Sequence, residues 1–194
     1  LRARHGVLVT LGNHDVAAGA ELVTAALRRC TPFTVLRNAT VDVVVDGARL
    51  TVIGLDDLGR DWARGVPEHP ALPPLARGVS DGATVVVLSH RPDCFPQAAA
   101  HGAHLVLSGH THGGQLGLPA FLGRRVRNLA EFITRFDRGL FHEGPATLVV
   151  SHGLGFTGQP IRLFTPREIG CLELWPAGAC GRHMPPRRPI TAYR

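Results

Sequence analysis

Apolar residues gather in short uninterrupted runs along this chain, most clearly at Val7 to Leu11, Thr84 to Leu88 and His104 to Leu107. Runs of four or five residues without polar alternation predict strands buried on both faces, as in a parallel sheet covered by helices. Thr147 to Val150 has the same character, and Arg162 to Phe164 with Ile169 to Leu174 predict further strands. Ala17 to Cys30 follows a different period. Leu22, Ala25, Ala26 and Arg29 fall at helical spacing, alanine is frequent, and Thr31-Pro32 ends the segment. Phe33 to Arg37, Val41 to Val45 and Ala48 to Gly54 are β-branched, with Asp46-Gly47 as a type I′ turn signal. We expect an antiparallel insertion or second sheet there. Phe95 to His101 predicts a short helix closed by Gly102, and the strands on either side make it a βαβ unit with a right-handed crossover. Four prolines restrict Asp61 to Val79 to loop and one short helix. Gln115 to Phe141 is of mixed polarity, with Arg124, Arg125 and Arg127 clustered in it.

Three of these strands end in polar clusters. Gly12-Asn13-His14-Asp15 follows the first, Ser89-His90 closes the second, and Ser108-Gly109-His110-Thr111-His112-Gly113-Gly114-Gln115 follows the third. In an open α/β sheet, ligands bind outside the carboxyl ends of strands, so the clusters are expected to share one crevice. Residues two apart in extended backbone point the same way, roughly 6.5 to 7 Å apart, which lets His110 and His112 each grip one of two metal ions. Glycines beside them allow positive φ and close approach.

These clusters, in this order, resemble the third, fourth and fifth motifs of the calcineurin-like metallophosphoesterases, within a bacterial phosphodiesterase-like subgroup carrying Gly-His-Thr-His-Gly-Gly-Gln. The resemblance covers nearly all of Leu1 to Trp175. It implies an α/β fold, a metallophosphoesterase-type α/β/β/α sandwich of two mixed sheets flanked by helices. It also implies hydrolysis of a phosphomonoester, phosphodiester or pyrophosphate bond by metal-activated hydroxide, with two divalent ions (manganese, iron, zinc or magnesium) as cofactors. Asn13, His90 and His110 would hold one ion and His112 would belong to the other, while His14 would face the substrate, steadying the transition state or protonating the leaving oxygen. Asp15 is expected to support the loop or cap the following helix. The subgroup often carries Gly-Leu-Asp-Asp where Gly54 to Asp57 stand; here Asp56 and Asp57 are read as first-turn residues of a helix. A Ser-x-Gly-Leu-Gly turn is matched at Ser151 to Gly155, and His152 within it is read as an incidental loop histidine.

The family's two leading motifs, Asp-x-His and Gly-Asp-x-x-Asp, are absent from the chain. The resemblance therefore implies a C-terminal portion of a longer enzyme that lacks the first strands, with most acidic ligands missing and activity in doubt. The alternative is a non-catalytic metal- or phosphate-binding remnant. A serine esterase is a third class, since His112-Gly113-Gly114 matches an oxyanion-loop pattern; it is set aside because no serine is expected in a Gly-x-Ser-x-Gly elbow.

Composition narrows the partners. The 194 residues suit one domain over residues 1–175, followed by a Pro/Arg-rich tail at 176–194 expected to be disordered. Formal charge is +6, but Arg182, Arg187, Arg188 and Arg194 in that tail have no acid among them, so the basic excess says little about the domain. No nucleic-acid motif accompanies it. Arg124, Arg125 and Arg127 are compatible with a phosphate or an anionic headgroup, and read first as a solvated face. The expected substrate is a phosphate ester, with lipid-linked and nucleotide esters both open, and the expected location is cytoplasmic or peripheral to a membrane. Four cysteines without a Cys-x-x-Cys argue against a zinc ribbon or a disulfide scaffold.

Overall fold

The computed structural model describes residues 1–59, 65–117 and 128–175. The arginine cluster at 124–127 and the tail at 176–194 lie outside the described residues. Among the described residues, eight strands and three α-helices follow one another as β1 (Leu8–Val9), α1 (Asn13–Cys30), β2 (Thr34–Val35), β3 (Ala39–Val45), β4 (Ala48–Leu55), α2 (Leu72–Arg77), β5 (Thr84–Ser89), α3 (Phe95–Ala100), β6 (Leu105–Ser108), β7 (Gly139–Glu143) and β8 (Ala146–Val150). The architecture is α/β: a six-stranded mixed sheet of order β3-β4-β5-β6-β8-β7 and a separate parallel pair, β1-β2. The second sheet is thus small and parallel rather than mixed.

The centre of the large sheet is parallel. β4 pairs with β5, β5 with β6, and β6 with β8 in the same direction, while β3 and β7 close the two edges antiparallel. Alternation inside the apolar runs explains the two-sided burial: Val85 and Val87 enter one core with Ile53, Phe95, Val106 and Leu148, whereas Val86 joins Leu36, Val52 and Leu105 on the other face. The hairpin β3-β4 turns on Asp46 (φ 49°) and Gly47 (φ 83°), as the type I′ signal requires, with Val45 opposite Ala48.

Several expectations change. The β3-β4 hairpin is neither an insertion nor a second sheet, because β4 is buried on both faces and continues the main sheet onto β5. β7, an exposed edge strand, was not expected. Arg162 to Phe164 and Ile169 to Leu174 are not strands; they contribute one isolated bridge, Leu163 with Leu116, and leave Ile169, Leu174 and Trp175 more than half exposed. Helix α1 starts at Asn13 rather than Ala17 and is interrupted at Gly19 (φ 110°, ψ 93°). It turns Thr24 inward, where Oγ1 bonds the Ala20 carbonyl at 2.7 Å, and leaves Leu22 71% exposed. Asp56 and Asp57 begin no helix.

Candidate metal centre

The carboxyl ends of β1, β4, β5, β6 and β8 deliver Gly12-Asn13, Asp56-Asp57, His90, Gly109-His110 and Ser151-His152 to one side of the molecule. Backbone bonds lock these exits together: Gly109 N–H donates to the His90 carbonyl (3.1 Å), Ser151 N–H to Ser108 (2.9 Å) and Asp57 N–H to Leu11 (3.3 Å). Gly12 caps α1. Its N–H donates to Asp15 Oδ2 at 2.8 Å, the capping role expected of Asp15, and this leaves the Asn13 side chain free to point into the crevice.

There Asn13 Oδ1 lies 2.9 Å from His90 Nε2, which lies 3.1 Å from His110 Nδ1. The two imidazoles meet edge to face, with centroids 4.9 Å apart at 72°. One proton on His90 Nε2 serves one of these contacts at a time, whereas a cation among the three atoms serves all of them. Adjacent donors on an octahedrally bound ion at about 2.1 Å stand roughly 3 Å apart. The observed separations of 2.9 and 3.1 Å therefore fit neighbouring positions around a single ion. Among the described residues no three His, Cys, Asp or Glu side chains gather round one point; the trio is completed by the amide of Asn13. Two imidazoles and an amide oxygen form a neutral set in which the nitrogen donors suit zinc or iron and the oxygen donor suits manganese or magnesium.

Burial, followed by the charge of His110, drives the His90 pKa down to about 4, so its ring is neutral and able to ligate at ordinary pH. The ring lies flat against Gly12, where a Cβ would come within 2.8 Å of Cε1 and 2.9 Å of both ring nitrogens. Behind it stands an ion pair that the sequence did not disclose. Arg91 Nε and Nη2 donate to Asp57 Oδ2 and Oδ1 at 2.8 and 3.3 Å, with side chains 3% and 1% exposed. Burial works against the Asp57 charge, but the bonds from Arg91 and from Gly59 N–H hold its pKa below the ordinary carboxylate value. Asp56, read as a helix-start residue, instead accepts Arg37 Nε at 2.8 Å, while its N–H donates to Asn38 Oδ1.

His14 and His112 stand apart from the trio. His14 Nε2 is 3.3 Å from Thr157 Oγ1. His112 (φ 50°) sits beside Arg162, with its Nδ1 at 3.5 Å from Nη2. Burial lowers the His112 pKa, the Gly155 carbonyl opposes this, and the Arg162 charge adds to the lowering. His152 Nδ1 lies 3.6 Å from Glu168 Oε2, and the ring packs over Gly113. Of the other described histidines, His5, His101, His104 and His142 are exposed and His69 is buried. His69, 4% exposed, meets the Asp56 carbonyl through Nε2 at 2.8 Å, and His104 Nδ1 accepts Val85 N–H.

The chain is 33% identical over 175 residues to an uncharacterized metallophosphoesterase of Bacillus subtilis, covering 90% of this chain and 58% of that protein. A Campylobacter jejuni metallophosphoesterase is 33% identical over 174 residues (88% and 42%), and one from Aquifex aeolicus 32% over 166 residues (84% and 59%). The chain belongs to the metallophosphoesterase family. This metallophosphoesterase chain spans about half the length of the curated relatives it matches. A Bos taurus relative, 29% identical over 184 residues, is named a transmembrane protein with a metallophosphoesterase domain. In the present chain no described helix is long and apolar enough to cross a membrane. No family model and no solved structure matches.

The esterase reading is corrected in its reason. The chain does contain one Gly-x-Ser-x-Gly frame, Gly78-Val79-Ser80-Asp81-Gly82. It forms the turn that enters β5, at the opposite end of that strand from His90, so no serine elbow faces the histidines.

Proposed function

We propose that this chain supplies part of the site of a metal-dependent phosphoesterase acting on a phosphomonoester, phosphodiester or pyrophosphate bond. Asn13, His90 and His110 hold one divalent cation, and His112 serves a second. The observation that carries the reading is the convergence of three donor atoms, from three strand ends, at 2.9 and 3.1 Å. When bound, divalent cations set positive charge against phosphoryl oxygens and make a hydroxide available near neutral pH. The chain's own residues do the rest. The cap at Gly12 aims Asn13, the buried Asp57–Arg91 pair backs His90, and His14, one residue from Asn13, faces the substrate and protonates the leaving oxygen. Lipid-linked and nucleotide esters both belong to the substrate class.

A second reading, a non-catalytic binder of metal or phosphate, draws support from the absence of any carboxylate beside the three donors among the described residues. One pair of measurements separates the two. Manganese binding by equilibrium titration and hydrolysis of bis(p-nitrophenyl) phosphate are followed in the wild type, Asn13→Ala and His110→Ala. The enzyme reading expects binding and turnover in the wild type, with both lost in the variants. Binding without turnover leaves the binder, and no manganese binding removes the enzyme reading together with the metal-binding form of the second.

A further inference from the structure

We propose that Arg162 is a positioning residue that fixes His112, by clamping residues 151–166 over the loop that carries the histidine pair. The clamp rests on the reading of His112 as a cation ligand for its purpose, though not for its geometry.

A guanidinium has five N–H donors. Here each of the five has a backbone carbonyl to meet. Nε donates to Gly155 at 2.8 Å, Nη1 to His112 at 3.2 Å and Pro166 at 3.5 Å, and Nη2 to His152 at 2.7 Å and again to Gly155. No N–H is left over for a phosphate. An arginine that bound substrate directly would keep a fork of donors pointing outward; this one turns its fork entirely upon the chain. Three of the four carbonyls belong to the segment after β8 and the fourth is that of His112. The side chain thus ties the backbone of His112 to carbonyls 40 to 54 residues further along the chain, and its own contacts with the ligand residue span 50 positions.

The loop it holds needs holding. His110, His112 and Gln115 adopt φ of 67°, 50° and 52°, left-handed values unfavourable for residues with a Cβ. A conformation of this kind persists where surrounding contacts impose it. Arg162 imposes it at the His112 carbonyl. Gln115 supplies a parallel tie from the other side: its amide donates to the Thr157 and Gln159 carbonyls at 3.0 and 2.9 Å and accepts Thr157 N–H at 2.8 Å. The same clamped segment brings Thr157 Oγ1 to His14. Arg162 lies outside both apolar cores, so its removal loosens the segment without dismantling the sheet.

The experiment follows histidine side chains directly, in metal-free full chain labelled with 15N-histidine, by imidazole correlation spectra. His112 is assigned through His112→Gln. Arg162→Ala is expected to broaden or split the His112 signals while leaving His90 and His110 in place. Arg162→Lys, with three donors for five, is expected to restore them in part. Selective loss at His112 is what general destabilisation would not produce. Unchanged His112 signals in both variants, or equal disturbance of all three histidines, would overturn the clamp; if Arg162→Ala does not fold, Arg162→Lys decides. A separate manganese titration tests the underlying reading. Loss of the clamp should weaken binding roughly ten- to a hundredfold, the range for residues that orient a ligand. A wild type that binds no manganese sinks the ligand reading, while the spectra still rule on the clamp.

Discussion

Acid should weaken this fold through one imidazole in particular. Burial and the neighbouring charge of His110 hold the His90 pKa near 4 in the folded chain, against an ordinary value of 6.5. Between those values the unfolded chain takes up a proton at this position that the folded chain refuses. Stability therefore rises with pH across the window, and is lost as pH falls from 6.5 towards 4. A gap of about 2.5 pH units, at roughly 1.36 kcal/mol for each, amounts to about 3 kcal/mol. That is a large share of the roughly 5–15 kcal/mol that holds a domain together. The assay is urea unfolding of the wild type and His90→Gln in the presence of chelator, at half-unit steps from pH 7 to pH 4. Carboxylates and histidines away from this ring titrate alike in both proteins and cancel in the difference, whereas His110 and Asp57, which feel the His90 charge, belong to the effect being measured. The wild type should lose about 3 kcal/mol relative to the variant over that range, or about 6–12 °C in melting temperature. A difference that stays flat within ~0.5 kcal/mol, the usual error of such subtractions, would refute the assignment of a proton-refusing ring.

Three further outcomes are expected. Gly12→Ala places a Cβ 2.8–2.9 Å from three atoms of the His90 ring, so the ring must retreat; a cost of roughly 1–3 kcal/mol in denaturant unfolding, with weakened manganese binding, checks it. Asp57→Asn leaves the Arg91 guanidinium buried without its carboxylate, and should destabilise by roughly 3–5 kcal/mol in the same assay. Val106→Ala, at a fully buried position, should cost several times more than Leu140→Ala on the half-exposed edge strand, as thermal melts of the pair would show.

The parts of this fold that could be read from the chain are those where burial writes a local pattern. Thr84 to Leu88 and His104 to Leu107 lie within or beside observed strands because parallel strands covered on both faces exclude polar residues. Asp46-Gly47 could be read because positive φ at two successive residues demands such a pair. β7 could not: Gly139 to Glu143 is exposed along most of its length and is recruited as an edge by pairing with β8, which leaves no apolar signature. Arg162 to Phe164 misled for the converse reason. Apolar and β-branched residues state a preference for extended backbone, but pairing needs a neighbour, and the arginine within the segment turns inward to carbonyls instead. At the site, Asn13, His90 and His110 were legible from their places after apolar runs. Asp57 and Arg91 were not, since a carboxylate and a guanidinium 34 residues apart declare their partnership only when the sheet brings them together.

The trio at the crevice joins positions 13, 90 and 110, separated by 77 and 20 residues of chain. An ion held there, as proposed, would be a knot tying residue 13 to residues 90 and 110, a place with no equivalent in the unfolded chain. Occupancy and foldedness then report on one equilibrium: each tenfold rise in free ion above its dissociation constant adds about 1.4 kcal/mol to the native state. Under that proposal, cation supply in the surroundings would govern how much of this polypeptide stays folded.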